Sequence, residues 1–405
     1  MQTKFYFTAA LIFYGAIFQN QVFASENKLA VANDAFAFNL LKQISKSEPA
    51  QNIFISPYSA AAALQMAANG AAGQTKLEMQ QVLGTTNLSA EEIGAVNKAI
   101  LQSLNTGNTN VILTTANAIW VQTNFTVKPD FLAMNREFFG ATVDSLDFKD
   151  PQCVNVINNW ASEKTHGKIT HIADDIIDPL YTQLFLANAV YFKGKWADPF
   201  KPEDTRDESF YLRDGSEKKV PMMRQSKSFT YRRGTNYQAV RLPYEDENLA
   251  MYVFLPDTNS SPEKLLDLLN GRTWKRITKP GFNEKEGTLE LPRFKMEYSV
   301  TLNEPLQALG IKSAFDMKKA DFSGIVAPQI DQLYISTVLQ KTFVEVKEEG
   351  TEAAAVTGVE MSNGLAMPEP QERFEMIVNR PFLFLIEDSQ TGTILFIGTV
   401  FNPQN

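Results

Sequence analysis

The sequence is poor in the residues on which most catalytic and metal sites depend. Its 405 residues include one cysteine, Cys153, and two histidines, His166 and His171. A single cysteine excludes an internal disulfide, so the folded core alone must stabilise the chain. No nucleophile elbow, zinc-binding helix, phosphate loop or dinucleotide fingerprint occurs. A Cys153–His pair is the remaining catalytic hypothesis, but nothing orients it, and we interpret the thiol as inert and the histidines as surface residues. We therefore expect no cofactor, no metal and no enzyme activity.

Positive charge is also scarce. Lysine and arginine number 38 against 46 acidic residues, which gives a formal net charge of -8. This balance argues against a nucleic-acid partner. No lysine or arginine occurs between Gly350 and Glu372. One basic cluster is interpreted as a solvated strand edge, with a polyanion site as the alternative; it comprises Arg224, Lys227, Arg232 and Arg233.

A long apolar run occurs only at the start of the chain. Residues 5–18 are apolar, follow Lys4, and are too few to span a bilayer. Together with the small-residue site ending at Ala24 they predict a signal peptide over residues 1–24, with a buried N-terminal helix as the alternative. We therefore expect secretion, into the periplasm or cell envelope if the host is bacterial, and no membrane partner. Because no linker or repeat divides the rest, residues 25–405 are predicted to form one domain.

The remaining patterns indicate a mixed fold. Helical patterns dominate the first third, including residues 60–66 after Pro57, and a capping box at Thr75–Glu78 before a helix that stops at Gly84. Strand-like apolar runs follow beyond residue 180, at residues 182–192, 250–255, 288–296, 333–339, 382–386 and 394–401. This order predicts an α+β class.

The most informative segment begins as a strand at Phe343 and then loses every large apolar residue. From Gly350 to Gly358 it holds small and β-branched residues, with Glu352 as the one charge. In period two, one face carries Thr351, Ala353, Ala355 and Thr357, and no charge lies on it. Such a segment can exist as an exposed loop or as an inserted strand.

This segment resembles the reactive-loop hinge of inhibitory serpins, in which Glu-Glu-Gly-Thr-Glu-Ala-Ala-Ala is followed by small residues. The matching hinge residues are Glu348, Glu349, Gly350, Thr351, Glu352, Ala353, Ala354, Ala355, Val356 and Thr357. Further motifs resemble the family in the same order along almost the whole chain, at residues 52–59, 69–75, 116–120, 159–169, 186–196, 291–294, 379–385 and 398–403. The resemblance implies the serpin fold: helices, three β-sheets with a large central one, and an exposed reactive loop, here about residues 350–375.

The resemblance also implies a suicide mechanism. A proteinase attacks the loop and forms an acyl-enzyme, and the freed hinge then inserts into the central sheet and traps the enzyme covalently. Reach from the hinge favours the bond between Gly364 and Leu365. Because the loop looks longer than usual before Pro381, bonds involving Met361, Ser362, Ala366 and Met367 remain rivals. The partner is expected to be an elastase-, chymotrypsin- or subtilisin-like serine proteinase, or a papain-like cysteine proteinase, and the inhibitor a monomer.

Two sets of residues resemble the family's control points for sheet opening. The shutter, a buried polar gate beneath the sheet, matches Ser56, Asn188 and Gln340, with glutamine where a histidine is usual. Glutamine keeps a donor and an acceptor but cannot titrate. The breach, where insertion begins, matches Trp196. The alternative function is a non-inhibitory serpin that acts as carrier, chaperone or storage protein, and such members tend to carry charged or bulky residues on the inward face of the hinge.

Overall fold

Two hydrogen-bonded β-sheets and nine α-helices make up the part of the chain that the structure, a computed structural model, describes. The described residues are 26–104, 110–327, 332–351 and 372–404. The helices are α1 (26–47), α2 (Pro57–Asn69), α3 (Gly73–Leu83), α4 (Ala90–Leu104), α5 (Pro129–Phe139), α6 (Cys153–Lys164), α7 (Pro262–Leu268), α8 (Gly271–Gly281) and α9 (Asn303–Leu309). In this part of the chain, no helix has both the length and the apolar composition to cross a membrane.

The strands are β1 (Ile53–Ile55), β2 (Val111–Gln122), β3 (Thr142–Leu146), β4 (Leu184–Lys195), β5 (Arg206–Tyr211), β6 (Glu217–Arg233), β7 (Tyr237–Pro243), β8 (Leu249–Pro256), β9 (Asn283–Pro292), β10 (Phe294–Thr301), β11 (Ile335–Lys347), β12 (Gly350–Thr351), β13 (Phe374–Ile377), β14 (Phe382–Asp388) and β15 (Thr393–Val400). A six-stranded sheet, which we call the central sheet, has the order β10-β11-β12-β4-β2-β3, and β11 also pairs directly with β4. The other sheet has nine strands, in the order β1-β15-β14-β8-β7-β6-β9-β13, with β5 on β6.

The α+β class is confirmed. The expected three sheets become two when they are counted by continuous hydrogen bonding, because the long strand β6 pairs with β7 near one end and with β5 and β9 along the rest. The central sheet is covered on its outer face by α6, whose Trp160 and Ile157 belong to one hydrophobic cluster with Phe185 and Phe343. Its inner face meets the main core, which includes α2.

The direct pairing of β4 with β11 positions the functional site. These strands run parallel from Leu184 and Ile335 to Tyr191 and Phe343, and we call this stretch the seam. The predicted strands in this region exist and extend further than predicted, to Lys195 and Lys347. Extended burial on both faces explains their near-continuous apolar sequences.

Two local expectations were wrong. The predicted strand over residues 288–296 is two strands, β9 and β10, separated at Arg293. The predicted capping box at Thr75 and Glu78 does not form, because α3 begins earlier, at Gly73. Glu78 instead accepts hydrogen bonds from the backbone of Lys312 and Ser313. Long-range partners therefore outcompete the local cap. The predicted stop at Gly84 is correct, since this residue is in the left-handed conformation with φ 67°.

Candidate functional site

The hinge enters the central sheet at the upper end of the seam. After β11 the chain turns at Glu348 and Glu349 and returns as β12, which pairs antiparallel with both β11 and β4. Thr351 lies opposite Val346 on one side and Gly194 on the other. Gly350 has φ 138°, and a Cβ there would lie 2.1 Å from the Gly194 carbonyl oxygen. Only glycine fits this position, because both its conformation and the close backbone approach exclude a side chain.

Thr351 occupies the inward face that its sequence pattern predicts. Its side chain is fully buried, and its hydroxyl lies 3.1 Å from the Tyr244 hydroxyl. Tyr244 stacks on Trp196 with ring centroids 4.6 Å apart. Burial raises the pKa of Tyr244, so this phenol stays protonated and uncharged. The buried Thr351 side chain therefore lies beside neutral aromatic groups.

Trp196, the predicted breach residue, donates two hydrogen bonds to the turn that precedes β12. Its indole Nε1 donates to the Lys347 carbonyl at 3.0 Å, and its backbone N–H donates to the Glu349 carbonyl at 3.0 Å. The Phe200 N–H donates to the Glu348 carbonyl at 2.8 Å. Because these donors hold three successive carbonyls, the direction in which the hinge leaves β11 is fixed.

A partly buried ion pair, between the buried Glu348 and the half-exposed Arg293, was not identified from the sequence. Its carboxylate accepts hydrogen bonds from the Arg293 guanidinium, with Nε at 2.7 Å, and from the Thr205 hydroxyl. Burial alone would raise the pKa of Glu348, but the hydrogen bonds from Arg293 and Thr205 outweigh it and leave the pKa lowered. Arg293 belongs to a motif that resembles the family, yet sequence alone gave no reason to pair it with a residue far along the chain.

The shutter residues meet beneath the middle of the seam, where Gln340 pairs in register with Asn188. Gln340 is fully buried; its Oε1 accepts from the Ser56 N–H and its Nε2 donates to the Ser56 carbonyl, both at 2.9 Å. Gln340 Nε2 also donates to Asn188 Oδ1. Asn188 Nδ2 in turn donates to Asn117 Oδ1 at 2.7 Å and to the Ser59 hydroxyl. Ser59 and Asn117 complete the network and were missed by sequence reasoning.

The shutter network contains no titratable group, as the glutamine at position 340 led us to expect. The amides of Gln340 and Asn188 each donate and accept at once, which is what a buried polar cluster requires. The network ties α2 to both strands of the seam, because Ser56 is the N-cap residue of that helix. Separating β4 from β11 must break the contact between Gln340 and Asn188.

Several predicted residues lie outside the described part of the chain. They are the hinge residues Glu352, Ala353, Ala354, Ala355, Val356 and Thr357, and the candidate bond residues Met361, Ser362, Gly364, Leu365, Ala366 and Met367. The predicted signal peptide is outside it too. The chain is described again from Glu372, just before β13.

No catalytic arrangement forms around the thiol and the imidazoles in the described residues. Cys153 is buried beside the Phe148 carbonyl, and burial raises the pKa of its thiol. His166 and His171 are exposed, and His171 Nδ1 lies 3.0 Å from Asp174. No group of three or more metal-binding side chains occurs in the same part of the chain.

The basic cluster has local partners. Arg224 pairs with Glu290, Lys227 with Asp198 and Arg233 with Asp257. Arg232 donates to the Tyr237 hydroxyl and to the Ile277 carbonyl. These contacts favour the interpretation of the cluster as a solvated strand edge, because its charges are largely balanced within the sheet and its neighbours.

Comparison with known proteins identifies the class that this sheet and hinge define. The family model described as Serpin (serine protease inhibitor) matches residues 31–403. The leukocyte elastase inhibitor of Bos taurus is 36% identical over 388 residues, covering 93% of this chain and all of the relative. The chain belongs to the serpin family.

Two solved structures extend this finding. The thermophilic serpin tengpin in its native state superposes with a TM-score of 0.84 at 34% identity, covering 92% of this chain and 94% of tengpin. Human thyroxine-binding globulin in complex with its ligand gives a TM-score of 0.85 at 28% identity, covering 94% and 100% of the two chains. The family thus includes relatives whose names denote proteinase inhibition and one whose name denotes ligand binding.

Proposed function

We propose that this chain is a secreted serpin that inhibits proteinases by inserting its cleaved reactive loop into the central sheet. The observation that carries the proposal is the position of Thr351. It is already paired between β11 and β4, it is fully buried, and it faces the inner core. The inward face that follows it in sequence carries alanine and threonine and no charge, so burial of the next residues meets no unpaired ion.

The register of β12 supports a continued strand. Each further residue would lie one place lower on both β4 and β11, which brings Thr357 level with Asn188 and Gln340. A hydroxyl at this level can donate to one shutter amide and accept from the other. The inserted strand would thereby replace the contact that its entry breaks.

The same register favours one candidate bond. Residue 361 would lie opposite Leu184, where β4 begins, so a proteinase attached at Met361 would remain beside the sheet. Gly364 would lie level with Tyr181, just beyond that end. A proteinase bound as an acyl-enzyme at Gly364 is therefore carried past the whole sheet. The segment that links it to the inserted strand is then only a few residues long. This supports cleavage between Gly364 and Leu365.

We infer that the target is an elastase-, chymotrypsin- or subtilisin-like serine proteinase, with papain-like cysteine proteinases as a further class. The absence of lysine and arginine from Gly350 to Glu372 disfavours a cleft that needs a cation. A relative named for elastase inhibition agrees with this preference. Burial of a leucine or methionine side chain contributes roughly 1.5–3 kcal/mol in an apolar cleft.

The test is incubation with a panel of these proteinases and with trypsin, followed by denaturing electrophoresis. We expect a complex that survives SDS, together with a released C-terminal peptide. The mass of this peptide should correspond to a chain that begins at Leu365. Cleavage by every enzyme without any such complex would refute inhibition.

A carrier, chaperone or storage role is the second candidate, because the fold is equally similar to thyroxine-binding globulin. Heat stability separates the two functions. Insertion adds a strand that is hydrogen-bonded on both sides, so loop-cleaved protein should unfold at a much higher temperature than intact protein. Equal unfolding midpoints before and after cleavage would favour the carrier role.

A further inference from the structure

The outer face of the seam carries a cation–aromatic contact that spans both strands. Tyr191 on β4 and Phe343 on β11 are the last pair in register, and both side chains are buried. Their ring centroids lie 6.0 Å apart. The ammonium Nζ of Lys168 lies 5.8 Å from each of the two centroids. One cation therefore contacts an aromatic ring on either side of the line along which the sheet must open.

The backbone of Lys168 is held in a fixed turn after α6. The Thr165 hydroxyl donates to the Ala161 carbonyl at 2.7 Å and accepts from the Ile169 N–H at 2.9 Å. The Lys168 N–H donates to the Thr165 carbonyl at 3.0 Å, and Ile169 is fully buried. Because the residues on both sides are anchored, the lysine side chain projects from a defined point over the seam.

We propose that Lys168 is a clasp that slows opening of the central sheet and so sets the rate at which a strand inserts. Adjacent strands lie about 4.8 Å apart, so an inserted strand roughly doubles the separation of β4 and β11. The two ring centroids, 6.0 Å apart in the closed sheet, would then lie roughly 11 Å apart with the inserted strand between them. An ammonium that stays above the sheet would be about 7 Å from both rings, or close to only one of them, and so outside the range of about 6 Å for at least one contact. Opening the seam costs at least one of the two contacts. The clasp rests on the proposed function, since it acts on the same insertion step.

Lys295 provides a matched comparison on the same ring. Its Nζ lies 5.4 Å from the Phe343 centroid, but it projects from β10. The pairing of β10 with β11 lies on the far side of Phe343 from the seam. Opening between β4 and β11 leaves this contact unchanged. Lys295 should therefore stabilise Phe343 equally in the closed and open sheets and have no effect on the rate of opening.

The experiment measures strand entry without a proteinase. A labelled synthetic peptide with the sequence of residues 351–362 is incubated with the intact protein, and the bound fraction is followed over time by size exclusion. We expect Lys168→Met, which keeps an unbranched apolar chain but removes the charge, to accept the peptide about 5-fold faster, within limits of about 2-fold and about 30-fold. The Lys168→Arg variant should bind the peptide at close to the wild-type rate. The Lys295→Met variant should bind it at the wild-type rate.

A mutant cycle with Phe343→Leu separates the clasp from a general loosening of the fold. In that background Lys168→Met should add little further acceleration, because one of the two rings is already absent. A wild-type rate for Lys168→Met, or an equal acceleration by Lys295→Met, would overturn the clasp. Failure of the wild-type protein to trap any proteinase would instead refute the proposed function, while the peptide rates would still decide on Lys168.

Discussion

Under the proposed function, replacement of Thr351 by arginine should abolish proteinase trapping while loop cleavage persists. In the intact protein the threonine is fully buried, paired on both sides, and hydrogen-bonded to Tyr244. An arginine here would place its guanidinium against the stacked rings of Tyr244 and Trp196. The phenol is neutral, so it supplies no compensating negative charge.

The cost follows from burial. An unpaired charge that cannot be hydrated costs several kcal/mol, which exceeds the roughly 1 kcal/mol that each hydrogen bond of the short strand β12 contributes. The hinge should therefore leave the sheet while the rest of the protein stays folded. Thr351→Val is the matched control: it keeps the shape, removes only the hydroxyl, and should cost about 1 kcal/mol with little loss of inhibition.

The assay compares the ratio of trapped to cleaved product for the three proteins with one proteinase. We expect Thr351→Arg to be cleaved at least as fast as wild type and to give almost no SDS-stable complex, whereas Thr351→Val should give nearly the wild-type yield. Fluorescence of the four tryptophans, one of which contacts the hinge turn, reports whether the arginine variant is still folded. An unchanged complex yield for a folded Thr351→Arg protein would show that the hinge does not insert with this face inward.

Three further predictions concern pH and specificity. Burial raises the pKa of Asp34 to about 8, although the Ile394 N–H that donates to its carboxylate opposes the rise. Folding stability should therefore fall from about pH 4 to pH 8, because the unfolded chain ionises this group first. Asp34→Asn should flatten this slope and raise the free energy of unfolding by up to about 4 kcal/mol at pH 7 in denaturant titrations; an unchanged slope would contradict the assignment. Gln340→His should give proteinase trapping a pH dependence between about 5 and 8 that the wild-type shutter lacks, measured as complex yield against pH, and a flat profile would count against Gln340 as part of the gate. Trypsin-like enzymes that cut after Arg373 should release product without being trapped, because the segment between the inserted strand and the acyl bond would be too long to hold the enzyme against the sheet. Efficient trapping at Arg373, identified from the mass of the released peptide, would be incompatible with the loop register.

The strand-like pattern around Thr351 could be seen in the sequence because its signal is local. A two-residue period, the loss of large apolar side chains after Val346, and the absence of inward charge can all be seen along one segment. The position of Thr351 on the inward face agrees with this pattern. The strands of the seam were found for the same reason, since continuous apolar runs indicate strands that are buried on both faces.

The contacts that surround the hinge were not predictable. Arg293 and Glu348 are separated by 55 residues, and the Ser59–Asn188 contact by 129. Nothing in the composition of either partner indicates the other, because any buried carboxylate or amide needs some partner and the sequence does not say which. The capping box predicted at Thr75 is wrong for the same reason. Glu78 accepts hydrogen bonds from a distant part of the backbone, at Lys312 and Ser313, instead of from the local helix start.

The two faces of the seam differ in what an inserted strand can restore. On the inner face, Thr357 would come level with Asn188 and Gln340 and can replace their lost hydrogen bond. On the outer face, Ala354 would come level with the two rings beneath Lys168, and a methyl group cannot replace a cation–aromatic contact. The shutter should therefore oppose opening only until the strand has arrived, whereas the clasp opposes it from the start and is not restored. Substitutions in the shutter should then change both the rate and the final stability, while Lys168→Met should act mainly on the rate.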